Sequence, residues 1–261
     1  MAESSSQPRH PYLGEPGSVI ALAHRGFSRE GLENSMRAFQ AAVDLGFRYV
    51  ETDAHGTSDG VAIALHDSSL DRTTDRAGEV SALPASEVLG ARIGGVEPVP
   101  LLEDVLGTWP ELHVNIDVKA VSGIVPVAEA IERTKAHDRV CVASFSSRRR
   151  LDTVQRLSRP VATSAGTSEA APFFALGGSG RGVGPALRRV HLLQIPAALR
   201  GITLLTRRHV EAAHRADRQV HVWTVNETAQ MTRLLDWGVD GLVTDRADLL
   251  KDVLIARGAW A

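Results

Sequence analysis

Eight short apolar runs of strand length, helix-like segments between most of them, and a length of 261 residues together predict an α/β fold, a (β/α)8 TIM barrel. Short apolar runs suit strands buried on both faces of a parallel sheet, and regular alternation with helices implies βαβ units. The eightfold count favours closure into a barrel over an open sheet. Hydrophobic residues make up 43% of the chain, enough for a sizeable core.

Residues 1–17, rich in Ser, Pro and Gly, read as a flexible leader, and 18–261 as a single domain. Ser18 to Ala23 is the first strand and ends at His24-Arg25-Gly26. Asn34 is expected to cap a helix running through Leu45, with Gly46 as its stop. Phe47 to Glu51 is the second strand. Further strands are expected at 112–118, 139–143, 160–164, 190–195, 219–224 and 241–244, with helices at 125–136, 147–157, 206–216, 227–237 and 247–256. The interval after the second strand breaks this rhythm. It runs to ~60 residues where a barrel needs a short loop and one helix. Residues 54–111 are therefore read as a small insertion over the barrel mouth, where loops carry function. Gly177 to Pro185 is glycine-rich, but no Gly-Lys-Ser/Thr follows, so a surface loop is expected there and not a phosphate cradle.

Charge narrows the partners. A formal net charge of −2 gives no broad basic field for a nucleic-acid backbone, while a small anionic substrate stays compatible. The single cysteine, Cys141, lies in an apolar run and is expected to pack as a small hydrophobe. The start lacks the apolar stretch of a secretory signal, and no segment approaches the ~20 apolar residues of a spanning helix. A cytoplasmic location without a transmembrane segment is the expectation; nothing in the sequence speaks to oligomeric state.

The chemistry is expected at the strand ends. Glu51 and Asp53 are two apart on a strand and share a face, and Asp117 at the end of the third strand can add a third carboxylate. Such an oxygen-rich set suits a hard divalent cation, Mg²⁺ or Ca²⁺, with Mn²⁺ also compatible. The plainer alternative is one acid capping a loop and the other facing solvent. His24 and His66 are the pair suited to opposing proton donor and acceptor roles, since imidazole titrates near neutrality. Arg25 offers a planar cation for two phosphate oxygens, or else an ordinary surface ion pair, and Lys119 shares the face of Asp117. His221 alternates with Trp223 and can face either way. The remaining histidines and Trp109, Trp237 and Trp260 read as packing or surface groups, His55 as a polar residue of the inserted loop.

Several runs form an ordered pattern: AHRG at Ala23 to Gly26, ENS at Glu33 to Ser35, ETDAHGTSDG at Glu51 to Gly60 and LHDSSLDRTTDRAGEV at Leu65 to Val80. IDVK at Ile116 to Lys119, VWTVN at Val222 to Asn226 and GVDGLVTD at Gly238 to Asp245 complete it. In order and spacing, over nearly the whole chain from Val19, this resembles the glycerophosphodiester phosphodiesterase family. The resemblance implies a barrel with an insertion after strand two, His24 and His66 as the acid–base pair, and Glu51, Asp53 and Asp117 around the metal. It further implies that Arg25 and Lys119 face the phosphate, that Glu33 supports the first histidine or the metal, and that Trp223 walls the substrate's alcohol. Three positions depart from the pattern. Asp117 stands where the family usually has Glu, Ser35 where Thr is common, and Ala247 where Pro often follows the terminal Thr-Asp-Arg.

The expected reaction is metal-dependent hydrolysis of a small-molecule glycerophosphodiester to glycerol 3-phosphate and an alcohol. His24 is assigned as acid and His66 as base, with water or the adjacent glycerol hydroxyl as nucleophile. Two alternatives stand beside it. A lipid-directed, lysophospholipase D-like enzyme would need apolar surface around the mouth, and the inserted region has no aromatic cluster. A catalytically silent phosphodiester-binding barrel would need neither histidine.

Overall fold

The computed structural model describes residues 9–177, 182–199 and 202–260. Eight parallel strands form its centre: β1 (Ile20–His24), β2 (Tyr49–Gly56), β3 (His113–Val118), β4 (Val140–Ala143), β5 (Ala162–Thr163), β6 (Leu192–Pro196), β7 (Gln219–Trp223) and β8 (Gly241–Thr244). Their order is β5-β4-β3-β2-β1-β8-β7-β6, and a parallel bridge from Ser164 to Leu192 joins the two ends, so the sheet closes into the barrel that the alternation predicts. Helices follow the strands in turn: α1 (Met36–Asp44), α2 (Leu102–Thr108), α3 (Ile124–Thr134), α4 (Ser147–Val154), α5 (Thr167–Gly177), α6 (Arg207–Arg215), α7 (Thr228–Asp236) and α8 (Ala247–Ala256). Among the described residues no helix is long and apolar enough to cross a membrane.

The period of two along each strand separates core from chemistry. On β3, Val114, Ile116 and Val118 join the main apolar core between strands and helices, while Asn115 and Asp117 line the barrel's inner cavity. On β2, Val50 and Ala54 do the former, Glu51 and Asp53 the latter. Cys141 is buried in a smaller cluster with Tyr12, Leu13, Ala162 and Leu192.

Four expectations change. The leader is not loose throughout: Tyr12 is fully buried, packs edge-on against Tyr49 at 5.4 Å, and accepts the Tyr49 hydroxyl on its carbonyl at 3.1 Å. Gln219 at the start of β7 donates to the Leu13 carbonyl at 2.9 Å, so this segment plugs the N-terminal end of the barrel; residues 1–8 lie outside the described residues. The cap of α1 is Ser35, whose hydroxyl accepts from the Ala38 N–H at 3.1 Å, because Asn34 turns its side chain into the site. Strand β2 continues past Glu51 to Gly56 and pairs antiparallel with Ala62–Ala64. The residues from Ala54, expected to begin the inserted region, are still strand, and Ala54 and His55 are buried. With α2 standing in the helical ring, the true insertion is narrower than 54–111, and it has its own small core of Leu32, Ile63, Leu65, Leu70, Val80 and Ile93 among others. Of the expected glycine-rich loop, Gly177 ends α5 and Gly184 and Pro185 open a short helix to Leu187, while 178–181 lie outside the described residues.

Gly26 shows why the first strand must end as it does. Its φ is +81°, and a Cβ there would sit 2.6 Å from the Ala38 carbonyl carbon, where Phe27 N–H bonds the Ala38 carbonyl at 2.8 Å. Gly26→Ala is expected to cost about 2–4 kcal/mol, from the left-handed conformation and the overlap together. At roughly 2–4 °C per kcal/mol for a chain of this size, thermal unfolding should fall by at least about 4 °C; an unchanged midpoint would refute the close approach.

Candidate active site

The C-terminal ends of the strands open into a cavity of about 580 Å³. His24, Arg25, Glu51, Asp53, His66, Asn115, Asp117 and Lys119 gather on one side of it, and Trp223 lines the other. Adjacent strands account for this grouping, since the register sets His24 beside Glu51, Glu51 beside Asn115, and Asp53 beside Asp117.

The two imidazoles share one construction. His24 Nδ1 lies 2.6 Å from Asp245 Oδ1, and Asp245 is held in turn by Asn226, whose amide donates to Oδ2 at 2.8 Å. Burial opposes charge on the His24 ring, but Glu51, with its Oε2 3.8 Å from Nε2, and the bond to Asp245 outweigh it and raise its pKa. His66 Nδ1 lies 2.6 Å from Asp67 Oδ1, and Arg72 grips that carboxylate through Nε at 2.5 Å and Nη2 at 3.0 Å. The Arg72 hydrogen bonds hold the Asp67 carboxyl well below the usual carboxylate range. In each pair the carboxylate fixes the tautomer with Nδ1 protonated and leaves Nε2 for chemistry.

The cations and acids interlock. Arg25 has φ +55°; its N–H donates to the Glu51 carbonyl at 2.9 Å, and its Nη1 donates to Glu33 at 2.9 Å. Its Nε is 3.0 Å from Asp53 Oδ2, although that N–H does not point along the contact. Glu33 also accepts from Arg72 at 2.7 Å, so it ties Arg25 to the insertion carrying His66 and does not touch the first histidine. Lys119 Nζ spans Asp53 at 2.9 Å and Asp117 at 3.0 Å. Asn34 donates to Asp53 Oδ2 at 3.1 Å and accepts from Thr52 at 2.8 Å.

These neighbours split the three acids. Burial pushes the Asp53 carboxyl up, but Lys119 and Arg25 outweigh it and hold it below its ordinary value. Asp117 is raised by burial despite Lys119, and its Oδ1 is buried with no hydrogen-bond partner. Glu51 is pushed up to about 8 by burial and by Asp53 beside it. Among the described residues no three His, Cys, Asp or Glu side chains already converge as a metal cage. The ammonium of Lys119 sits between two of the three candidate carboxylates.

Asp67, Arg72, Asp245, Asn226 and Asn34 escape a reading by strand ends, because each acts through another side chain. The signal for Asp67 was its adjacency to His66, and for Asp245 its place at the end of β8, next to β1. His221 is buried in the barrel interior against Gln219 at 3.3 Å and does not line the cavity, whereas His55 bonds the His66 carbonyl at 3.1 Å and steadies that loop.

A Mycobacterium tuberculosis protein described as probable glycerophosphodiester phosphodiesterase 2 is 47% identical over 247 residues, 94% of each chain. A lysophospholipase D of Rattus norvegicus is 26% identical over 89% of this chain and 85% of its own. The fold matches that of an Oleispira antarctica phosphodiesterase solved with the product sn-glycerol-3-phosphate, with a TM-score of 0.76, 19% identity, and coverage of 91% of this chain and 97% of that one. Residues 24–249, which hold every side chain of the polar corner, match the glycerophosphoryl diester phosphodiesterase family throughout, and the chain belongs to that family.

Proposed function

We propose that the protein hydrolyses glycerophosphodiesters to glycerol 3-phosphate and an alcohol by paired imidazole catalysis at a divalent metal site. One observation carries this reading: His24 and His66, each with Nδ1 on its own carboxylate, line the same cavity as Arg25, Lys119 and three acids. A silent binding barrel has no use for two such imidazoles.

His24, surrounded by Glu51 and Asp245, is the ring favoured to start charged and to protonate the departing alkoxide. His66, with Nδ1–H on Asp67, presents Nε2 as the base for the nucleophile. Arg25 and Lys119 stabilise the negative charge that shifts on the phosphate.

Glu51, Asp53 and Asp117 suit a hard cation, Mg²⁺, Ca²⁺ or Mn²⁺. The unpartnered Oδ1 of Asp117 and the raised Glu51 carboxyl are what an added positive charge would satisfy. Loading requires Lys119 to give way between Asp53 and Asp117. When bound, such an ion draws charge from a non-bridging phosphate oxygen.

The test is turnover of glycerophosphocholine with coupled detection of glycerol 3-phosphate; a pure, folded, metal-supplemented protein with no turnover on any glycerophosphodiester sinks the proposal. Asp245→Ala should lower kcat by about tenfold with little change in KM, because its loss frees the tautomer and orientation of His24 while substrate contacts stay. Unchanged kcat would leave Asp245 a purely structural residue.

A further inference from the structure

Below the polar corner two amides, which the catalysis does not use, stand at the floor of the cavity. Asn115 precedes Asp117 by two residues on the inner face of β3, roughly 5–7 Å deeper into the barrel at about 3.3 Å per residue on a tilted strand. On the far side of β4 and β5, Gln194 of β6 pairs in register with His221 of β7. His221 is fully buried beneath the cavity and does not line it, so Gln194 marks the floor as well. Lower still, Gln219 donates to the Leu13 carbonyl at 2.9 Å, and the buried Tyr12 closes the barrel.

The protein itself does not satisfy these amides. Asn115 is 3% exposed, and its Oδ1 is buried with no hydrogen-bond partner among the described residues; Gln194 Nε2 is in the same condition. Hydroxyls nearer the mouth are already committed, since Ser144 donates to the Val118 carbonyl and Thr167 to the Phe145 carbonyl, each at 2.8 Å. A buried polar group without a partner is costly, which makes the floor a place for a polar atom of the ligand. An amide head carries both a carbonyl and an NH₂. Whichever way each is turned, the pair can accept the proton of a hydroxyl and donate to its oxygen. Buried Ser164, which follows β5 between the two, adds a third uncharged group to the same lining.

Resting on the hydrolytic reading above, we infer that Asn115 and Gln194 are specificity-determining residues that bind the glycerol's terminal hydroxyl, the one farthest from phosphorus. They restrict the enzyme to glycerophosphodiesters whose glycerol carries no acyl chain. With the phosphate at Arg25 and Lys119, the extended glycerol covers the depth from the carboxylates down to the floor. The middle hydroxyl, one carbon nearer the phosphoester, stays at the level of the acids. A closed floor takes the small part common to every glycerophosphodiester. The leaving alcohol, which differs between them, faces the open mouth, where Phe145 is 60% exposed. An acyl ester at the terminal position removes the proton that an amide carbonyl would accept, and its chain has no outlet past Gln219 and Tyr12. A lysophospholipase D-like activity is therefore disfavoured by the same two residues.

The test uses three choline esters, so that one choline-release assay reads them all below micellar concentration. They are glycerophosphocholine, its 2-hydroxypropyl analogue with hydrogen in place of the terminal hydroxyl, and lysophosphatidylcholine with an acetyl group on that hydroxyl. The analogue should lose about 10- to 100-fold in kcat/KM, the range for leaving a buried polar group unmatched, and the acetyl ester at least as much. Gln194→Met removes the amide at similar volume and should bring the ratio of glycerophosphocholine to its analogue towards about 1; Asn115→Leu reads the same ratio independently. Calorimetric binding of glycerol 3-phosphate against 2-hydroxypropyl phosphate reads the floor without turnover. Comparable turnover of all three esters by the unaltered protein overturns this inference alone. Tighter binding of glycerol 3-phosphate, lost in Gln194→Met, with no turnover of any diester supports the floor and overturns the hydrolytic reading instead. Equal binding with no turnover overturns both.

Discussion

His66→Ala is expected to lower kcat on glycerophosphodiesters by about 10²–10⁴-fold with the fold intact, the range for losing a positioned general acid or base. The ring is half-exposed and held through Nδ1 by Asp67, so its removal opens little core and leaves Arg72 still paired with Asp67 and Glu33. His24→Ala should cost as much on the natural substrate. The two differ once the leaving group changes. A nitrophenyl ester departs without a proton, so the variant lacking the acid should recover most of its rate on it, while the variant lacking the base stays slow. Recovery by His24→Ala and not by His66→Ala is expected, since Glu51 and Asp245 favour the charged form of His24. The reverse pattern would exchange the roles, and a folded His66→Ala enzyme with undiminished turnover removes that residue from the mechanism.

The barrel was legible because its eight strands are short apolar runs, each near a polar ending, and closure needs only that count. What escaped the reading escaped for physical reasons. Tyr12 looked like part of a flexible leader because its neighbours are Pro and Gly, yet its ring fills the barrel floor beside Tyr49, a contact between residues far apart in sequence. Strand β2 looked too short because Glu51, Thr52, Asp53 and His55 make it polar on both faces beyond Val50, so its apolar run ends before the strand does, although all four are buried. Residues that point into the cavity at strand ends, His24, Glu51, Asp53 and Asp117, are found by the two-residue period. Residues that hold the site in place, Asp245 on His24, Asp67 on His66, Arg72 on Asp67 and Asn34 on Asp53, depend on pairings across 221, 1, 5 and 19 positions respectively, and only the shortest of these leave a trace in the sequence. The apolar side of the cavity is invisible for the same reason: α5, β6, β7 and the loops after β4 and β6 each lend one or two side chains, Phe145, Ala171, Phe174, Ile195, Leu204 and Trp223.

Removing divalent metal is expected to abolish turnover, and Mg²⁺, Ca²⁺ or Mn²⁺ to restore it. The charge inventory of the polar corner decides this. Three carboxylates, Glu51, Asp53 and Asp117, face two cations, Arg25 and Lys119, and both cations are already committed to Asp53. With Glu33, Asp67 and Asp245 counted beside these acids, and Arg72 and a charged His24 beside the cations, the corner is negative overall and repels a phosphodiester anion, and it stays so with Glu51 held neutral by burial and by Asp53. A divalent ion offsets that charge and frees the guanidinium and ammonium for phosphate oxygens. Asp53→Ala should therefore weaken metal affinity by at least about tenfold, while Asp117→Glu keeps a carboxylate in place and should be tolerated. Asp53→Ala also leaves Lys119 with Asp117 and Arg25 with Glu33, so its cost in stability should stay below the ~3–5 kcal/mol of stranding a buried charge outright. Metal titration by calorimetry and turnover after exhaustive chelation read these two effects separately. Full activity in a demonstrably metal-free preparation would defeat the metal assignment, and an unchanged titration in Asp53→Ala would remove Asp53 from the ligand set.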